Sequence, residues 1–355
     1  MVRPRTIVAM VCLAGCGTLG SPSAGDRELP ANRTGPFREL TAAEMGGRNC
    51  AAVDFGGLID EPSALRLADG RTALYVTRVH DELRTVARLT LRAPGQQADD
   101  PADVLTATLP WQGGAVMAPD VSALPGGGFV MAYGTAAGAL GLARSTDGVA
   151  WQPLEAPALE AVAAEGEVSA LRAPSIVALA DGSLVLAYAS AGSIWLARAP
   201  RLGDAFARVD GDARSARRDP ILGASGAGVP RDGGAPDFES GSVDDPELTV
   251  DTTAIGRAIW RLYYTARSAP VAMDAGLAPS VAIAMAASFD GLTFTRFGAP
   301  VFATRADPTI VAPAVLADDA RRTLLYTGGR CTLSRGRRGV RAAIAPGTDT
   351  VTPLP

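Results

Sequence analysis

Arg172-Ala-Pro-Ser-Ile-Val-Ala-Leu-Ala-Asp181-Gly-Ser-Leu-Val-Leu-Ala-Tyr188 is the stretch that decides the fold. It holds a small residue, a proline, an alternating apolar run, an Asp-Gly turn and a second apolar run ending in Tyr. Proline is tolerated at the start of a strand, where its missing N–H breaks no ladder. Gly in the Asp-Gly pair accepts positive φ, which suits a hairpin. The same grammar appears four more times. Glu61-Pro62 leads to Ala68-Asp69-Gly70 and Tyr75, and Ala118-Pro119-Asp120 leads to Pro125-Gly-Gly-Gly128 and Tyr133. Asp245-Pro246 leads to Ile259-Trp-Arg-Leu-Tyr-Tyr264, and Ala312-Pro313 leads to Asp318-Asp319 and Tyr326.

The prolines fall at 62, 119, 174, 246 and 313, with spacings of 57, 55, 72 and 67. Units of that length built of short strands and turns predict a propeller of four-stranded blades, here five of them. Third and fourth strands recur as well. Ser145-Thr-Asp147-Gly148-Val-Ala-Trp151 is echoed by Ser288-Phe-Asp290-Gly291-Leu-Thr-Phe294, and the pattern reads as a tight turn between strands, so Asp147 and Asp290 are structural. Sustained 3.6-residue periodicity is almost absent, so the fold class is all-β. The longest spacing contains an Arg-Asp-Gly-rich stretch from Arg208 to Gly241, expected to be an exposed loop.

Composition narrows the chemistry. The 355 residues carry Lys+Arg 33, Asp+Glu 37 and one His, a net charge of −4. There is no basic field for nucleic acid. Every basic residue is Arg, so Schiff-base lysines and Walker lysines are excluded. The single His80 excludes multi-histidine metal sites and reads as a surface residue in a polar turn.

The N-terminus is a targeting segment. Met1-Val-Arg-Pro-Arg5 is positive, Thr6–Gly15 is apolar and too short to span a bilayer, and Leu13-Ala-Gly-Cys16 resembles a bacterial lipobox. Residues 1–15 are therefore expected to be a signal peptide. Cys16 is expected to carry the lipid, diacylglyceryl and palmitate, and to hold the protein at the cell envelope, with Gly17 compatible with the outer membrane. Residues 16–47, rich in Gly, Pro and Ser, read as a flexible linker, and 48–355 as the propeller. Cys50 and Cys331, the remaining pair in an exported chain, are expected to form a disulfide that clasps the ring.

The acidic pairs Asp60-Glu61-Pro62 and Asp244-Asp245-Pro246, with Gly298-Ala-Pro-Val301 and Asp219-Pro-Ile-Leu222 as links, resemble the five-bladed β-propeller glycosidase group. That group comprises arabinanases and xylosidases of glycoside hydrolase family 43, with related fructosidases and mannoside phosphorylases; Asp-box propellers of the sialidase type are a more distant likeness. The resemblance implies a glycan ligand and carboxylate chemistry in a central funnel. It implies a base at blade one, Glu61 with Asp60 as alternate, and a general acid at blade four, Asp245 with Asp244 as alternate. Asp120 is the third candidate catalytic carboxylate. The chain departs from the family, which has Asp at the first position and Glu at the fourth, and it carries Arg172-Ala173-Pro174 where the family often has a further Asp. A non-catalytic module that binds a glycan or protein partner is the alternative.

Four acids before two prolines crowd one mouth and call for a counter-charge. Arg172, at the same place in blade three, is expected to face the funnel, pair with one of them and contact substrate. Without such a partner, Ca²⁺ with oxygen ligands is the alternative neutraliser; no other cofactor or metal is expected. Trp111, in a loop ahead of blade two, is the candidate sugar platform, whereas Trp151 and Trp260 read as blade packing.

Overall fold

The computed structural model describes residues 36–41, 43–44, 58–80, 82–93, 96–97, 99–167, 170–211, 218–224, 238–252, 258–269, 281–303, 310–317, 322–328 and 339–345. They form five antiparallel sheets. Blade one contains β2 (Leu58–Arg66), β3 (Thr72–His80), β4 (Leu83–Ala93), β5 (Gln96–Gln97) and β6 (Ala102–Leu105), which also pairs with β4. Blade two contains β7 (Val116–Ala123), β8 (Phe129–Thr135), β9 (Leu140–Ser145) and β10 (Gln152–Pro153), and blade three contains β11 (Arg172–Ala178), β12 (Leu184–Ser190), β13 (Ser193–Ala199) and β14 (Ala207–Arg208). Blade four contains β15 (Ser242–Thr252), β16 (Ala258–Arg267), β17 (Val281–Ser288) and β18 (Thr295–Arg296). Blade five contains β19 (Val311–Ala317), β20 (Arg322–Gly328) and β21 (Gly339–Ile344), and its outermost strand is β1 (Arg38–Glu39).

The inner strands close a ring: β2 packs beside β7, β7 beside β11, β11 beside β15, β15 beside β19, and β19 beside β2. Because every blade is apolar on both faces, the hydrophobic core is divided among the five junctions. Leu74 and Leu89 meet Leu325 and Val340 between blades one and five, and Leu140 and Leu142 meet Leu184 and Tyr188 between blades two and three. Equivalent clusters fill the other three junctions.

Strand β1 corrects the expected domain boundary. Residues 16–47 do not all form a linker, since Arg38 pairs with Ile344 and Glu39 with Ala343. Phe37 and Leu40 are buried, and Phe37 meets Tyr263 edge-on at 6.3 Å. Two strand residues in a Gly- and Pro-rich setting show no periodicity of their own, which is why composition misjudges them. Cys16, Cys50 and Cys331 lie outside the described residues, as do 212–217 and 225–237 of the expected loop. The remainder of that loop is anchored: Leu222 bridges Ile194, and Arg208 is in a buried ion pair.

The two Asp-Gly motifs adopt one turn. The Ser hydroxyl donates to the Asp carboxylate, at 3.0 Å for Ser145–Asp147 and 2.7 Å for Ser288–Asp290. That carboxylate accepts the next turn's amides, from Val149 and Ala150 and from Leu292 and Thr293. The Gly148 carbonyl accepts the Tyr75 hydroxyl of blade one, and the Gly291 carbonyl accepts Arg198 of blade three. Each turn thus anchors its blade to the preceding one.

Candidate active site

One backbone device, repeated five times, builds the centre. The residue before each proline adopts left-handed φ: Glu61 52°, Ala118 47°, Ala173 45°, Asp245 47° and Ala312 51°. Left-handed backbone costs a non-glycine residue on the order of 1–2 kcal/mol. Helical φ/ψ is disfavoured before proline in any case. Each such residue sits in a β-bulge, where the register with the second strand slips between the residue two before the proline and the residue after it. The bulges bring the five pre-proline residues and their prolines to the axis, with Asp120 and Glu247 beside them. There they line an open cavity.

Two rings of hydrogen bonds tie these positions between blades. In the first, a threonine on the second strand of one blade accepts the amide of the pre-proline residue of the next. Thr77 accepts Ala118 at 2.7 Å, Thr265 accepts Ala312 at 3.1 Å, and Thr327 accepts Glu61 at 2.9 Å. Gly134 and Ala189 hold the equivalent register in blades two and three and have no hydroxyl to offer. In the second ring, the side chain after the proline accepts the amide two residues beyond the next blade's proline. Ser63 accepts Val121, Asp120 accepts Ile176, Ser175 accepts Leu248, and Glu247 accepts Val315. Ala314 is the fifth member and makes no such bond.

Of the sequence candidates, Glu61, Asp120 and Asp245 line the cavity together. Glu61 is half-buried, and its Oε2 accepts both the Thr77 hydroxyl at 2.7 Å and the Ala118 amide at 3.0 Å. Burial, then the negative Asp60 and Asp245, push its carboxyl up to about 7 against the hydrogen bonds that oppose the shift. Asp244 is buried and flanks the cavity. Burial and Asp245 raise it to about 6, against the pull of Arg172 and Arg267. Its Oδ2 pairs with the Arg172 guanidinium, whose side chain is 55% exposed. Arg172 therefore stands at the mouth and neutralises one acid of the group. Asp60 receives the Glu61 amide on Oδ1 at 3.0 Å.

Asp120 has a different duty from the other two. It is buried, accepts the Ser63 hydroxyl at 2.8 Å and the Ile176 amide at 2.6 Å, and is raised by that burial. It clasps blades one, two and three together. Trp111 is not at the cavity. It stacks on Tyr133 at 6.3 Å, where a Cβ on Gly141 would strike both rings, and its indole N–H donates to the Glu155 carbonyl. An indole used for packing on one face offers no sugar platform at the axis, which corrects that expectation. Trp151 and Trp260 pack as expected, against Tyr75 and under Arg198. His80 is exposed at the end of β3. Among the described residues no group of three or more His, Cys, Asp or Glu is placed to hold a metal ion, and no helix is long and apolar enough to cross a membrane.

Glu247 was not among the sequence candidates. It is half-buried on the cavity lining, and burial with the nearby Asp120 holds it well above the usual carboxylate range. Its signal was available, since it follows Pro246 as Asp120 follows Pro119.

No protein-family model matches the chain, and no curated protein matches it by sequence. Solved structures do match by shape. A glycosyl hydrolase from Bacteroides ovatus aligns over 91% of this chain and 98% of its own, with a TM-score of 0.63 at 15% identity. A structure described with the mannoside phosphorylases of family 130, among them glycoside hydrolases that target β-1,2 mannosidic linkages in Candida mannan, aligns over 91% and 99%, with a TM-score of 0.63 at 15% identity. The α-L-arabinofuranosidase PaAbf62A from Podospora anserina aligns over 91% and 99%, with a TM-score of 0.56 at 12% identity. The fold is that of the five-bladed glycosidase-like propellers.

Proposed function

We propose that the protein acts on a glycan held in the central cavity, with Glu61 as general acid and Asp245 as its partner carboxylate. The observation that carries this reading is the convergence of both side chains on one cavity from left-handed pre-proline positions, with Glu61 held at about 7. A carboxyl at that value is partly protonated at neutral pH and can protonate a leaving-group oxygen. Its two hydrogen-bond donors both sit on Oε2, which leaves Oε1 for the proton. Asp245 then serves the anomeric carbon, as nucleophile or as base for a water. These roles reverse those that the family resemblance implies for blades one and four. The fold shared with glycoside hydrolases supports the reading.

The test is a panel of nitrophenyl glycosides, α-L-arabinofuranoside, β-D-xyloside and β-D-mannoside, against the purified domain and Glu61→Gln. Turnover that falls on the order of 10²–10⁴-fold in the variant is expected. No turnover of any member, or equal turnover in both proteins, would refute it. A binding module without catalysis is favoured by one fact: Oε2 of Glu61 and both oxygens of Asp120 are committed to bonds between or beside blades. Glycan binding without turnover would decide for it.

The N-terminal pattern supports attachment to the envelope through lipid on Cys16, at the outer membrane. Cys16→Ser is expected to abolish palmitate incorporation and release the protein to the soluble fraction. The pairing of β1 with β21 supports nearby chain ends, and hence a Cys50–Cys331 disulfide.

A further inference from the structure

The position after each proline holds Ser63, Asp120, Ser175, Glu247 and Ala314. Its structural task is to accept one amide from the next blade. Serine does this at 3.1 Å in blade one and 2.8 Å in blade three, with no ionisable group. Ala314 shows that the ring closes with one member missing. A carboxylic acid is therefore not required in blade four. Placing one there is unfavourable, because Asp120 lies near enough to act on its charge. Uncompensated departures of this kind concentrate at functional sites.

We propose that Glu247 is a ligand-binding residue, its carboxylic acid donating a hydrogen bond to an oxygen of an uncharged sugar on the cavity lining. The inference deepens the glycan reading above and rests on it. Glu247 Oε1 accepts the Val315 amide at 3.0 Å, and the half-buried side chain lines the cavity alongside Glu61 and Asp245. The charged groups around it are Asp120 from blade two, Glu61 from blade one and Asp245 on its own strand. Blade three offers the Ser175 hydroxyl, with Arg172 at the mouth paired to Asp244, and blade five offers only an amide. Acids, alanines and prolines make up the described lining, with no arginine among them. An anionic sugar would meet only carboxyls there. A neutral sugar can accept from a protonated acid, donate to a carboxylate, and lay its C–H faces on proline and alanine. Burial and Asp120 hold Glu247 well above its ordinary range, which favours the protonated form that can donate.

The experiment is titration calorimetry of wild type, Glu247→Gln and Glu247→Ser with L-arabinose, D-xylose, D-mannose and D-glucosamine. Glutamine keeps both a donor and the acceptor for Val315, so its affinity should stay within about threefold of wild type. Serine keeps the kind of acceptor that blades one and three use and loses the reach to the ligand, so affinity should fall on the order of tenfold. Wild-type binding of a neutral sugar, undiminished in Glu247→Ser, overturns this inference and leaves the glycan reading standing. Binding of D-glucosamine alone also overturns it. Absence of binding to wild type defeats the glycan reading, and this inference with it. Should Glu247→Ser fail to fold, the pH dependence of affinity decides: wild type should show a titration step that Glu247→Gln lacks, and superimposable profiles overturn the assignment.

Discussion

The buried acids between blades and the acids of the cavity are handled in opposite ways. Glu167 is buried beneath blade three, where Arg208 clamps it at 2.8 and 2.9 Å, Tyr188 donates at 2.6 Å and the Val162 amide at 2.9 Å. Burial pushes its carboxyl up, and these partners outweigh that and hold it below the usual value. Glu239 repeats the plan in blade four with Tyr264 and Arg296. In blade two the same place holds neutral Gln112, bonded to Tyr133 at 2.9 Å, and the outer-strand register occupied by Arg208 and Arg296 holds Pro153. Charge and counter-charge are thus present together or absent together. At the axis Arg172 pairs with Asp244, and burial raises the carboxyls of Glu61, Asp120, Asp244 and Glu247. Arginine thus holds Glu167 below its ordinary range, whereas at the axis burial outweighs the partners of four carboxyls.

The contrast can be broken at its structural end first. Glu167→Ala leaves Arg208 buried without its carboxylate and should cost about 3–5 kcal/mol in denaturant unfolding. A loss under 1 kcal/mol would mean that the clamp is ornamental. The opposite sign is expected at the axis. Glu61 has a folded value of about 7 against an ordinary 4.5, so its contribution to stability is lost as pH rises between those values. Glu61→Gln should therefore be more stable than wild type above pH 7, by up to about 3 kcal/mol, with the gain vanishing below pH 4.5. Melting curves of the two proteins that keep a constant gap from acid to alkali would contradict this. The double variant Glu167→Gln with Arg208→Gln copies the neutral solution of blade two. It should recover most of the single loss and remain within about 1.5 kcal/mol of wild type; a loss equal to that of Glu167→Ala would show that charge itself is needed there. The smallest effect belongs to Arg172→Ala. Its exposed ion pair should contribute about 1 kcal/mol or less, while the Asp244 carboxyl moves further up, a shift readable by carbon NMR titration. An unmoved Asp244 would mean that Arg172 does not neutralise it.

The five prolines made the blades, their number and the shared axis legible, because each proline marks the start of an inner strand and the bulge beside it. The acids ahead of Pro62 and Pro246 were legible for the same reason. What escaped was carried by single residues in a repeat of about 60. Gln112, Glu167 and Glu239 each stand seven residues before their proline, yet three polar residues in different loops make no pattern until Tyr133, Tyr188 and Tyr264 are seen to receive them. Glu247 escaped because an acid after proline differs from its equivalents Ser63 and Ser175 in ionisation and not in hydrogen-bonding task. Trp111 was misplaced because a loop tryptophan reads alike whether it faces a ligand or a glycine such as Gly141.

Strand β1 sets the order of events when the chain is made. Arg38 pairs with Ile344, so the first strand residue leaves the ribosome roughly 300 residues before its partner exists. Blades one to four can form from contiguous sequence as it emerges, whereas blade five must wait for the last strand and then recruit the first. Such distant pairing is slow to find, and until then an unpaired edge is open to a second chain. A nascent chain held at about residue 330 should accordingly remain sensitive to protease near residues 36–41, and one released past 345 should not.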